Sequence, residues 1–141
     1  MDPYSLDRFV QAQEPVMAQV LAELAAGRKR THWMWFVFPQ IAGLGRSATA
    51  QRYALGSLDE ARAYLAHPVL GARLVQCVGM VNAVEGRTAN DVFGNPDDLK
   101  FHSSMTLFAL AQPREALFRK ALDMYFGGAM DPATAERVAG P

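Results

Sequence analysis

Two segments carry side chains whose types and spacing suit chemistry. In the first, Arg28-Lys29-Arg30-Thr31-His32-Trp33-Met34-Trp35-Phe36-Val37-Phe38-Pro39-Gln40, a basic run passes straight into the densest aromatic block of the chain, and both tryptophans lie in it. A tryptophan face stacks on planar groups, and Arg30 with His32 can hold an anion beside it. The plainer alternative is that the aromatics are core material and the charges cap a helix end. Polar groups beside a buried block still need partners, from the chain or from a ligand. Gln40, at the far end of the block, is a third such group.

The second segment holds Asp97, Asp98, Lys100, Ser103 and Ser104. On a helix, Asp97, Lys100 and Ser104 share one face and Ser103 lies near it. A lysine beside serines can bind a phosphate or carboxylate, or activate a serine as in Ser–Lys hydrolases. The plainer alternative is a capped helix start with an ordinary surface Asp–Lys pair. Two adjacent serines in mid-helix have poor propensity, so something other than helix stability keeps them there.

Folded together, residues 30–47 and 97–104 would enclose one pocket. Arg30, His32 and Lys100 would supply positive charge and Trp35 a wall. Gln40, Ser47, Ser103 and Ser104 would supply hydrogen bonds. The ligand expected of such a pocket is small, anionic and nucleotide-like. No catalytic residue is assigned. The alternative is a non-enzymatic module whose groove binds a protein partner, and the lack of a recognisable catalytic constellation favours it.

Stronger signatures are missing from the sequence. There is no phosphate loop, and Gly43-Leu44-Gly45 is too short for a dinucleotide fingerprint. There is no His-Glu-x-x-His, no paired cysteines for zinc and no nucleophile elbow, so neither metal nor cofactor is expected. The lone cysteine, Cys77, sits on an apolar helical face and reads as inert core. Formal net charge is zero, a poor electrostatic footprint for nucleic acid or an anionic membrane, and neither partner is expected. A one-thiol chain suits a reducing cytoplasm. The start, Met1-Asp2-Pro3-Tyr4-Ser5-Leu6-Asp7, lacks the pattern of a signal peptide.

Helices must position these segments. Of the 141 residues, 50% are hydrophobic and 20% charged, which suits one globular domain, taken here as residues 1–141. Ser5 is placed to cap a first helix with Phe9 and Val10. Pro15 opens a second with Val20, Leu21 and Leu24, stopped by Gly27. The aromatic block has an ambiguous period, but no other segment reads as a partner strand. It is therefore taken as a short buried helix ended by Pro39. Ser47 or Thr49 opens a turn containing Tyr53, and Ser57 with Glu60 forms a capping box. His67-Pro68 caps the helix that carries Leu70, Leu74, Cys77, Val78 and Val81. Thr88 caps a turn with Val92 and Phe93, and Asn95-Pro96 opens the 97–110 helix. Pro113 opens a long helix ended by Gly127-Gly128, and Asp131-Pro132 a short tail helix. The expected fold is all-α, a single domain of about five to seven helices with no sheet.

Several of these runs resemble a known family. They are residues 27–40, then Gly43-Leu44-Gly45 with Ser47, then 61–65 with His67-Pro68-Val69-Leu70-Gly71. Residues 93–100 and 103–108 follow, and finally Tyr125-Phe126-Gly127-Gly128. From about Phe9 to Thr134 the chain is similar to the bacterial family of domain of unknown function 1810. The resemblance implies a compact all-α fold and no established reaction or catalytic residue. Some members are labelled calpastatin, which implies inhibition of a calcium-dependent protease. Inhibitory segments of that kind are disordered, whereas this chain is half hydrophobic with capped helices.

Overall fold

A computed structural model describes residues 2–139. Ten helices occur among them: α1 (Asp7–Gln13), α2 (Met17–Ala25), α3 (Met34–Val37), α4 (Ala48–Arg52), α5 (Leu58–Ala66), α6 (Leu70–Ala83), α7 (Ala89–Phe93), α8 (Asp97–Ala111), α9 (Ala116–Phe126) and α10 (Pro132–Ala139). The all-α expectation holds, and the only extended pairing among the described residues is a single bridge between Ile41 and Leu55. The expected count of five to seven helices is too low. α3, α4 and α7 are single turns of four or five residues, too short to show an apolar period.

Most helix boundaries follow local chemistry. Ser47 Oγ accepts from Ala50 N–H at the start of α4, and Ser57 Oγ from Glu60 N–H at the start of α5. Thr88 and Asp91 form a reciprocal capping box on α7. His67 Nδ1 accepts from the N–H groups of Val69 and Leu70, capping α6. Three assignments are corrected. Ser5 adopts φ 52 and does not cap α1. The Asp2 carboxylate does so, through Leu6 N–H and Asp7 N–H at 2.8 and 2.9 Å. Glu60 reaches Gly56 N–H rather than closing a box on Ser57. Asn95 makes no cap, because α8 starts from Pro96 without a side-chain hydrogen bond.

α8 is the central element. Nine of its fifteen residues are buried, and α3, α5, α7, α9 and α10 all pack on it. From Phe101 onward these neighbours cover most of the helix, so the hydroxyls of Ser103, Ser104 and Thr106 are buried with the apolar residues. Around its first turns Phe38, Phe93 and Phe101 pack edge to face and stacked, with centroids 4.6–5.8 Å apart. Trp33 joins them through Phe38 at 6.0 Å and is fully buried.

Candidate functional site

The site begins with a buried carboxylate on α2. Glu23 is 3% exposed. Its oxygens accept from Arg30 N–H (2.7 Å), Thr31 N–H (3.0 Å), Thr31 Oγ1 (2.6 Å), Gln19 Nε2 (2.8 Å) and Trp33 Nε1 (3.0 Å). These bonds fold the 28–33 loop over the end of α2. Burial pushes the carboxyl upward, but the hydrogen bonds from Arg30, Thr31 and Gln19 outweigh it and hold its pKa at about 2.

The capped α7 then fixes the next residue. Val92 C=O accepts from Lys29 N–H at 2.7 Å. This turns the Lys29 side chain inward, 6% exposed, with Nζ 2.8 Å from Asp97 Oδ2 and 5.1 Å from the centre of the Trp33 ring. Asp97, in the first turn of α8, is shared. Its Oδ1 lies 3.4 Å from Lys100 Nζ, one turn on. Lys100 Nζ in turn stands 4.8 Å over the Trp35 ring, a cation–π contact. Trp35 is half-buried and takes no part in the core that Trp33 anchors. The two indoles, Trp33 just before α3 and Trp35 within it, divide the work: Trp33 is buried in the core, and Trp35 stays half-buried outside it.

The structure brings Trp35 and Lys100 into contact, with Arg30 and His32 exposed on the loop that leads into α3. The other candidates lie elsewhere. Gln40 is half-buried, and its carbonyl accepts from Leu55 N–H beside the Ile41–Leu55 bridge. Ser47 is exposed and serves as the α4 cap. Ser103 is buried against α10, with its Oγ 2.7 Å from Thr134 Oγ1. Ser104 is buried within the helix packing, and its hydroxyl has no partner among the described residues.

Two organising residues escaped the sequence reading. Glu23 had a visible signal, since it lies on the apolar face of α2 between Val20 and Leu24, where a carboxylate must find donors. Lys29 had none, because its partners Val92 and Asp97 are remote in sequence.

Together these features define an all-helical domain in which Lys100, in the first turns of α8, stands over the half-buried Trp35. The chain belongs to the family described as protein of unknown function (DUF1810), which it matches over residues 3–138. It is similar to the conserved hypothetical protein Rv1873 from Mycobacterium tuberculosis, with 54% identity, 99% of this chain and 100% of that chain covered, and a TM-score of 0.97. No curated protein matches it. No helix among the described residues is long and apolar enough to cross a membrane.

Proposed function

We propose that the protein is a binding module for a small, anionic, nucleotide-like ligand, held on the open face formed by Trp35, Lys100, Arg30 and His32. One observation carries this reading. Trp35 is a large aromatic that the core does not use, and a lysine held by Asp97 stands over its ring. Two lysines share the Asp97 carboxylate there, and Arg30 and His32 are exposed on the loop that leads into α3. A planar base would meet the free edge and face of the indole, and its phosphate the cations.

Thermal-shift titration with ATP, AMP and inorganic pyrophosphate tests the reading. A ligand at a hundred times its Kd stabilises by about 2.7 kcal/mol, a rise of roughly 5–10 °C for a domain of this size. The rise is expected in the wild type and in Ser47→Ala, and lost in Lys100→Ala and Trp35→Ala. If none of the three compounds moves the wild-type midpoint, the proposal is wrong. A second reading, a protein-interaction surface, draws on Leu99, which is 61% exposed beside Lys100. A partner docked there would respond to Leu99→Glu, whereas nucleotide binding would not.

A further inference from the structure

Where α3 meets α8, two lysines divide one carboxylate unequally. Lys29 Nζ lies 2.8 Å from Asp97 Oδ2, while Lys100 Nζ lies 3.4 Å from Oδ1. Only the first distance falls within the roughly 2.7–3.2 Å of an N–H···O contact. Burial explains the order. The Lys29 side chain is 6% exposed, its backbone N–H is fixed on Val92 C=O, and Asp97 is its one ion-pair partner among the described residues. An ammonium so buried is costly without its counter-charge, so Lys29 keeps Asp97. The Lys100 side chain is 23% exposed and has a second support, the Trp35 ring 4.8 Å away.

The charge of Asp97 that Lys29 neutralises is charge that no longer holds Lys100. A lone Asp97–Lys100 pair, one turn apart on α8, would close to contact and compete with any anion for the ammonium. We propose that Lys29 is a positioning residue for the candidate site. It engages Asp97 from the inside and leaves the Lys100 ammonium on the Trp35 ring, available to a phosphate group. On the anion-binding reading above, on which this rests, Lys100 is the phosphate contact. A buried lysine that never touches the ligand then sets the affinity.

Two measurements on the full-length chain test the proposal. The first is calorimetric titration with inorganic pyrophosphate. Lys29→Met keeps the apolar stem and removes the charge, so Lys100 closes onto Asp97. Affinity should then fall about tenfold, the lower end of what a hydrogen bond to a charged group supplies. Lys29→Arg keeps the charge and should bind as the wild type does. Combining Lys29→Met with Asp97→Asn also removes the competing carboxylate and should restore the affinity, a rescue that a merely structural role does not predict. The double variant leaves neither charge buried alone. Should Lys29→Met fail to fold, wild-type affinity in the double variant, against none in Lys100→Ala, decides the matter. The second measurement needs no ligand. Protons above an indole face are shifted upfield by its ring current, so the Lys100 ε-methylene reports by NMR whether it stays on Trp35. The upfield shift should be present in the wild type, in Lys29→Arg and in the double variant, and reduced in Lys29→Met. A wild type that does not bind pyrophosphate overturns the anion-binding reading itself, whatever the shifts. With binding present, an affinity or a shift unchanged in Lys29→Met, or a double variant that binds weakly, overturns the role of Lys29 and leaves that reading standing.

Discussion

Glu23 carries the geometry of the candidate face without lining it. Five donors converge on its carboxylate, four from the 28–33 loop and one, Gln19, from its own helix α2. Its pKa falls from 4.5 in the unfolded chain to about 2 in the fold. The folded state thus binds fewer protons in this window, and stability rises with pH across it. The contribution is complete above pH 4.5 and is lost as the pH falls through about 2. At 1.36 kcal/mol per unit it amounts to about 3 kcal/mol. In Glu23→Gln the amide nitrogen faces N–H donors, so a loss of similar size, about 3 kcal/mol, is expected in urea denaturation at neutral pH. Asp2 and Asp91 are also lowered, chiefly by hydrogen bonds from backbone N–H groups. The difference between variant and wild type isolates Glu23. That difference should shrink toward zero by pH 2, and a constant gap from pH 7 to pH 2 would refute the assignment. The tryptophans show what residue-level reading reaches. Trp33 lies just before the helical turn, at φ -143 and ψ 6, and is buried, while Trp35 lies within it and is half-buried. Helical spacing therefore does not decide which of the two turns inward.

At the scale of elements, the turn from α5 to α6 is the tightest join in the fold. His67 N–H donates to Ala63 C=O, its carbonyl accepts from Gly71 N–H, and its ring caps α6. A Cβ on Gly71 would lie 2.1 Å from the Leu65 carbonyl oxygen. That atom is backbone and cannot swing aside, so Gly71→Ala should cost about 3 kcal/mol, at the upper end for overpacking. Gly79, on the same helix, should behave in the opposite way. With open space at its Cβ, Gly79→Ala should stabilise by about 0.5–1 kcal/mol. Denaturation midpoints of the two variants should move in opposite directions, and a shared direction would show that the space around α6 has been misjudged. Caps and stops of this kind were legible in the sequence, because a capped amide lies two or three residues from its cap. Ser47, Ser57, His67 and Thr88 all cap where expected. Ser5 and Asn95 failed for a reason no propensity contains: backbone conformation around them is set by what α1 and α8 pack on. That same tertiary context drew Asp97 to Lys29, as well as to its helical neighbour Lys100.

For the whole molecule, the serines on α8 lead to the opposite end of the chain. Asp131 accepts from Thr134 Oγ1, which leaves the Ser103 hydroxyl to donate to Thr134 in turn. Asp131 N–H donates to Thr106 Oγ1, whose own hydrogen goes to His102 C=O. The His102 ring stacks on Phe126 at 4.0 Å and meets Ala129 C=O through Nε2. Three contacts, Ser103–Thr134, Thr106–Asp131 and His102–Ala129, therefore fasten the 129–134 segment, and α10 with it, to the central helix. The unfavourable serine pair in mid-helix was a real signal, and Ser103 answers it with a hydroxyl that ties down the tail. Sequence alone could not say so, because the partner lies 31 residues away. Thr134→Val keeps the shape and removes the bridging hydroxyl. Ser103 Oγ is then left buried without its partner, at a cost of about 1–3 kcal/mol. Most faces of α10 are exposed, and it rests chiefly on α8. The loss should therefore be local opening rather than global unfolding. Hydrogen exchange should quicken at the amides of α10 while those of α6 and the middle of α8 keep their protection. Equal acceleration in all three helices would mean that α10 is part of the cooperative core, and no change at all would mean that the Ser103–Thr134–Asp131 chain does not hold it.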